Sequence, residues 1–381
     1  MAETLFKLQA RLMREYYKNF SKYSKGKACE EKIAWVTSFA PVEILEALGV
    51  SYYYPESYAA VIAASEKEQQ GIDYSEQHHL SRDCCSYSCC FNGCLETEDA
   101  PRGIPPIPDV LIATNNQCNT LPNWWNLLAI KYNVPLIIID YPGEAAGDEA
   151  FEYVKKQHDN LIEELERISG NNIDFEVLST CIDNSLASVE AWKKVISYQK
   201  VKKIEPTDLF DDINFLITAR CKKDTASMYE MLADKMSEKS DADDEGIPLF
   251  WLGYPLWYHK DRYLSEILQE FRIVGSNYVT WWNLDYSGND VFEKLYNAYN
   301  FTFLNLKQSS RDRKLAKLIA ESGALCTVTA HNKSCKCDFV SAQNVSVPQA
   351  EIEIDMIDRN YLDVERARSK VELLKDIVCM K

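Results

Sequence analysis

One pattern occurs twice in this chain and constrains the fold more than any other feature. A short apolar run, Val110 to Ala113, is followed by Cys118 in a polar stretch. A helical pattern then covers 123–132, and the uninterrupted apolar segment NVPLIIID runs from Asn133 to Asp140. Near the other end, the apolar run Ala324 to Ala330 is followed by Cys335 and then by SVPQAEIEID, which ends at Asp355. The cysteine precedes the aspartate by 22 residues in the first copy and by 20 in the second. Strand, helix, strand in this order is the unit of a parallel sheet. An unbroken apolar run such as NVPLIIID reads as a strand buried on both faces. The repetition predicts two similar α/β domains facing each other, Rossmann-like or flavodoxin-like. Each offers a cysteine from the crevice beyond its strand ends, where open α/β sheets bind ligands.

The remaining elements fit around this frame. Residues 33–39 read as a strand, Pro41 opens a short helix that closes at Gly49, and 50–54 form a second strand. Residues 66–83 read as a charged helix or loop. From 150 to 235 strand signals are missing and long charged helices take over, one ending at Gly170. The acidic stretch up to Gly246 is the best linker. Leu249 to Leu252 reads as a strand, and 261–272 as a helix with Tyr263, Leu264, Ile267, Leu268 and Phe271 on one face. Ser310 and Gly323 bound another helix, and 363–378 closes the chain as a helix. The domain expectation is therefore 1–150 (α/β), 151–240 (helical region and acidic linker) and 241–381 (α/β).

A length of 381 residues exceeds one typical core. The net charge of −16 repels phosphate backbones, which makes nucleic acid a poor partner. The N-terminal segment carries charges throughout and has no signal-type apolar core. No uncharged apolar run is long enough to cross a bilayer. These features point to the cytoplasm, with no membrane partner.

Thirteen cysteines are an odd number and do not suit a closed disulfide framework in such a compartment. No CxxC pair occurs, which removes zinc ribbons, thioredoxin-like sites and ferredoxin loops. The P-loop, the dinucleotide glycine fingerprint and the GxSxG elbow are missing as well. What remains is a set of scattered thiols: Cys84, Cys85, Cys89, Cys90 and Cys94 in RDCCSYSCCFNGC, then Cys118, then Cys335 in HNKSCKC. Three thiolates from separate elements could hold one iron–sulfur cluster with an iron left open as a Lewis acid and electron carrier. The plainer reading of residues 84–94 is a helix packing its sulfurs into a core.

Four patches, APVEILEALGV, CSY at 85–87, PDVLIATNNQCNTLPNWWNLLAIKYNVPLIIIDYP, and HNKSCK followed by Gln343 and Asp355, resemble the 2-hydroxyacyl-CoA dehydratase and benzoyl-CoA reductase family. They fall in the expected order over nearly the whole chain. The resemblance implies a 4Fe–4S cluster held by Cys85, Cys118 and Cys335; the doubled Cys84 leaves two candidates for the first ligand. It implies a homologous second subunit or a second copy, an acyl-CoA substrate, and a separate ATP-hydrolysing iron–sulfur activator. That activator injects one electron to make a ketyl radical, which expels the hydroxyl from carbon 2. Relatives place Glu43 near the active site, although a carboxylate stabilised by the helix dipole explains it equally well. His331 could donate a proton, support a ligand, or be structural. Trp124 and Trp125 could line an acyl cavity or pack the core. The alternatives are a benzoyl-CoA reductase-type subunit, and an electron-transfer protein with a single or a double-cubane cluster.

Overall fold

Eight short runs rich in β-branched and aromatic residues form strands: β1 Ile33–Val36, β2 Ser51–Tyr53, β3 Val110–Thr114, β4 Leu136–Ile139, β5 Ile247–Leu252, β6 Phe271–Ser276, β7 Cys326–Asn332 and β8 Gln349–Ile354. The computed structural model describes residues 3–23, 30–78, 80–81, 83–242, 246–335 and 345–380. Its strands form two four-stranded sheets, in the orders β2-β1-β3-β4 and β6-β5-β7-β8. Every pairing is parallel. Counted from its own first strand, each sheet has the order 2-1-3-4, so the duplication read from the sequence is a duplication of topology. The fold is α/β, with two flavodoxin-like sheets.

Two strand readings need correction. The segment 261–272 is not one helix. The helix is Lys260–Leu268, and Gln269 has φ 34°, which ends it. Phe271 opens β6, because FRIVGS supplies the β-forming residues the sheet edge needs. NVPLIIID does form a strand, but β4 is an edge strand, half-covered at Leu136 and Ile137, with Ile138 49% exposed. The central strands β1 and β3 are the ones buried throughout.

Helices Ala150–Ser169, Phe175–Ser197 and Lys223–Ser237 fill the stretch between the sheets. Gly170 ends the first with φ 75°. Asp174 caps the second by accepting the Glu176 N–H at 2.8 Å. Trp192 joins this region to the second half by donating to the Val279 carbonyl at 3.0 Å. Helix Gln308–Ser322 starts two residues before Ser310 and stops at Gly323 as expected.

The cysteine-rich segment is helix Ser86–Thr97, with Cys85 as its N-cap residue. Cys89, Cys90 and Cys94 are buried in the core. This helix packs on helix Glu68–Gln77 through Gly71 and Gly93. A Cβ at Gly93 would lie 1.8 Å from the Gly71 carbonyl oxygen, so only glycine allows the approach. Gly93→Ala is expected to cost about 1–3 kcal/mol, the usual penalty of overpacking, read as a lower midpoint in urea denaturation.

Candidate active site

In each sheet the strand order reverses beside the first strand, and the loops leaving that point carry the site. In the first half these loops follow β1 (Thr37 to Pro41) and β3 (Asn115 to Asn119). In the second half they follow β5 (Gly253 to Trp257) and β7 (Lys333 to Cys335). Cys118 and Cys335 sit on the equivalent loops, and Cys85 enters at the N-terminus of its helix. All three are half-buried and outside any disulfide.

Cys118 and Cys335 both lie within electrostatic reach of Cys85. Burial pushes the Cys85 thiol well above its ordinary range, and Cys118 and Cys335 push it further; the N–H groups of Ser88 and Tyr87 oppose the rise. The half-buried Tyr254 phenol is raised chiefly by burial and further by Cys335 and Cys118. Among the described residues no three His, Cys, Asp or Glu side chains are close enough to hold a single metal ion. A cubane spreads its ligands over separate irons and accepts a wider set. Helix N–H groups aimed at Cys85 suit a bound sulfur anion, and a cationic cluster would reverse the penalty that adjoining thiols impose.

The aspartates that end the repeats hold the cysteine loops. The Asp355 carboxylate accepts the N–H groups of Ile357 and Asp358 at 3.0 and 2.9 Å on Oδ1. On Oδ2 it accepts the Ser334 N–H at 3.1 Å and the Ser334 hydroxyl. Ser334 Oγ in turn receives the Ser86 N–H at 3.1 Å and lies 3.0 Å from Ser86 Oγ. Residues 85–86 and 334–335 are thereby tied together. In the first half Asp140 accepts from Asn115 Nδ2 and from the Tyr153 hydroxyl at 2.9 Å, which anchors the loop that carries Cys118.

A cavity with about 830 Å³ of empty space, part of it open to solvent, adjoins the loops that carry the cysteines. Tyr87, Gln117 and Tyr254 line it, and so does Glu56. The Glu56 carboxylate is buried, accepting from Ser38 N and Ser38 Oγ at 2.9 Å each and from Gln117 Nε2 at 2.8 Å. Burial raises its pKa despite these donors. A buried carboxyl with a raised pKa facing a cleft can hold and deliver a proton.

The chain matches the family described as 2-hydroxyglutaryl-CoA dehydratase, D-component, over residues 37–377. It belongs to that enzyme family. It is 25% identical to the alpha subunit of lactoyl-CoA dehydratase from Anaerotignum propionicum, over 93% of this chain and 92% of the relative. It is 26% identical to the alpha subunit of (R)-phenyllactyl-CoA dehydratase from Clostridium sporogenes, over 80% and 77%. It is 23% identical to one of the subunits of benzoyl-CoA reductase from Thauera aromatica, over 95% and 92%. Each of these relatives is named as a subunit.

Other residues singled out in this member of the dehydratase family lie apart from the cavity. Glu43 is fully buried, accepting from Ser185 Oγ, Tyr286 OH and Tyr299 OH at 2.7, 2.7 and 2.6 Å, and pairing with Arg220 Nε at 3.3 Å. Arg220 donates to the Ala40 carbonyl at 2.9 Å, so the pair holds the turn that carries Ser38. His331 stands one residue before the end of β7, half-exposed, 3.5 Å from Glu351. Trp124 and Trp125 are core residues, donating to Asn92 Oδ1 and to the Trp35 carbonyl at 3.1 Å each. Cys84 stands one residue before the cap, half-buried, facing Cys89. Gln343 lies outside the described residues. Sequence reasoning missed Glu56, Ser38 and the aromatic wall. The available signal was a Pro-Glu pair at the helix start beyond β2, matching the Pro-Val-Glu beyond β1.

No helix among the described residues is long and apolar enough to cross a membrane. Glu43→Ala would leave the Arg220 guanidinium buried and unpaired, at a cost of about 3–5 kcal/mol in urea denaturation. A second expectation concerns pH. The folded chain binds the Glu56 proton more tightly than the unfolded chain, because burial raises the carboxyl above 4.5. That contribution to stability is full below pH 4.5 and is lost as pH rises through the folded-state pKa. Glu56→Gln removes the loss, so its stability relative to the unmodified chain should rise with pH above 4.5, as measured by denaturation at a series of pH values.

Proposed function

We propose that this chain is the iron–sulfur subunit of a 2-hydroxyacyl-CoA dehydratase that eliminates water from an (R)-2-hydroxyacyl-CoA through a ketyl radical. What supports the reading is that Cys118 and Cys335 both act electrostatically on Cys85 and on Tyr254, and that Tyr254 lines an aromatic cavity that also holds a buried carboxyl. Those cysteines would hold a 4Fe–4S cluster. When bound, it would supply an open iron as Lewis acid and one-electron chemistry.

The protein's own groups do the rest. Glu56, positioned by Ser38 and Gln117, holds a proton at a carboxyl oxygen and delivers it to the departing hydroxyl. The aromatic walls exclude water from the thioester. Asp355 and Ser334 keep two cysteine loops in register. A separate ATP-hydrolysing activator would deliver the electron, a second subunit would complete the enzyme, as the alpha-subunit names of relatives suggest, and the cytoplasm would be its compartment. Similarity to the benzoyl-CoA reductase subunit over 95% of the chain supports a second reading as a reductase-type subunit.

Protein purified without air should carry about four iron and four sulfide per chain. Cys85→Ala, Cys118→Ala and Cys335→Ala should each lose most of the iron and visible absorption, whereas Cys84→Ala should keep both. The activated complex should turn over a 2-hydroxyacyl-CoA. Turnover of benzoyl-CoA alone would overturn the dehydratase reading in favour of the reductase. Iron bound equally well without the three cysteines would overturn the ligand assignment.

A further inference from the structure

The walls of the cavity beside the three cysteines differ sharply in character. On helix Pro55–Ala64 Glu56 faces it near the helix start, and Ser57, Ala60, Val61 and Ala64 follow as a stripe of smaller residues at helical spacing. Phe210, Ile213, Asn214 and Ile217, at the same spacing, also line it, and so does an aromatic wall. Tyr254 and Trp281 meet edge to face with ring centroids 5.1 Å apart, Tyr278 and Trp257 are 5.8 Å apart, and Phe39 stacks on Trp282 at 4.5 Å. The indole nitrogen of Trp281 is buried with no hydrogen-bond partner.

Charge is distributed just as unevenly. Among the described residues Glu56 and Asp211 are the only carboxylates on the lining, and no Lys, Arg or His lines it. An acyl group bearing a second carboxylate would enter a space with no cation to pair with, and burying an unpaired carboxylate is costly. A short aliphatic acyl group would leave most of the space between the small stripe and the rings unfilled. A flat ring fits there, because ring faces and edges on the wall offer offset and edge-to-face contacts.

We infer that this cavity selects an uncharged, ring-bearing acyl group on the CoA thioester and rejects a dicarboxylic one. The inference rests on the acyl-CoA reading above and adds the class of substituent. The small stripe on helix Pro55–Ala64 sets the room, the aromatic wall sets the preference, and the missing cation sets the exclusion.

Direct binding tests it without turnover. The complex purified without air, with neither activator nor reductant, is titrated calorimetrically with four probes: 3-phenylpropanoyl-CoA, propanoyl-CoA, glutaryl-CoA and CoA itself. The phenyl compound should bind about tenfold or more tighter than propanoyl-CoA and CoA, and roughly a hundredfold tighter than glutaryl-CoA. Ala64→Lys, at an exposed position on the cavity rim, should raise glutaryl-CoA affinity about tenfold by supplying the missing cation. Glutaryl-CoA or propanoyl-CoA binding as tightly as the phenyl compound overturns the inference and leaves the acyl-CoA reading standing. So does glutaryl-CoA affinity unmoved by Ala64→Lys. If none of the four binds, the acyl-CoA reading fails together with the inference.

Discussion

The hydrogen bonds centred on Ser334 join the two halves of the molecule at the point where its chemistry gathers. Ser334 is held by Asp355 at the end of β8 and holds the N-terminus of the Cys85 helix through the Ser86 N–H. All three residues are buried. Buried bonds to an ionised acceptor are among the stronger ones, each worth about 1.5–3 kcal/mol net, and are costly to leave unmade. The chain segments carrying Cys85 and Cys335 are 250 residues apart in sequence and adjacent in space because of this link. Further contacts reinforce it: Trp257 donates to the Tyr87 hydroxyl at 2.6 Å, and Asn116 Nδ2 donates to the Tyr299 carbonyl at 2.8 Å.

Around this junction the fold separates two tasks. The ion pair of Glu43 and Arg220, fully buried and sharing Tyr299, braces the turn after β1 from behind. Ser38, on the same turn, faces the cavity and holds Glu56. One strand–turn–helix unit thus carries a carboxylate saturated by donors and ion pairing, and the next unit supplies one whose burial raises its pKa. The environments, rather than the residue type, set the two apart: Glu43 is enclosed in the core with Arg220, and Glu56 lines the cavity.

The cysteine-rich segment divides in the same way. Cys89, Cys90 and Cys94 pack as small apolar residues on the buried face of their helix, the plainer of the two readings open from composition. Cys85 differs in standing at the cap, half-buried, within electrostatic reach of Cys118 and Cys335. The doubled Cys84–Cys85 could not be resolved from the letters alone, because position relative to a helix start is decided to the residue by packing. Gly71 and Gly93 make that packing possible.

The sequence alone determined the parallel α/β class, the duplication, and the thiols at 118 and 335 beyond strand ends. These follow from short-range patterns: apolar runs, Val-Pro pairs and strand-terminal aspartates repeated at matching intervals. It misread Phe271 as helical, since an apolar residue at helical spacing looks the same whether or not the chain turns at Gln269. It took NVPLIIID for a strand covered on both faces, since composition does not reveal that a strand lies at a sheet edge. Only the tertiary structure decided that Glu56 lines the cavity and is held by Ser38 and Gln117, that Glu43 is locked to Arg220, and that small residues of one helix share a cavity with aromatic rings from the other half of the chain. Those relations are contacts between segments distant along the chain, and local pattern carries no information about which distant surfaces will meet.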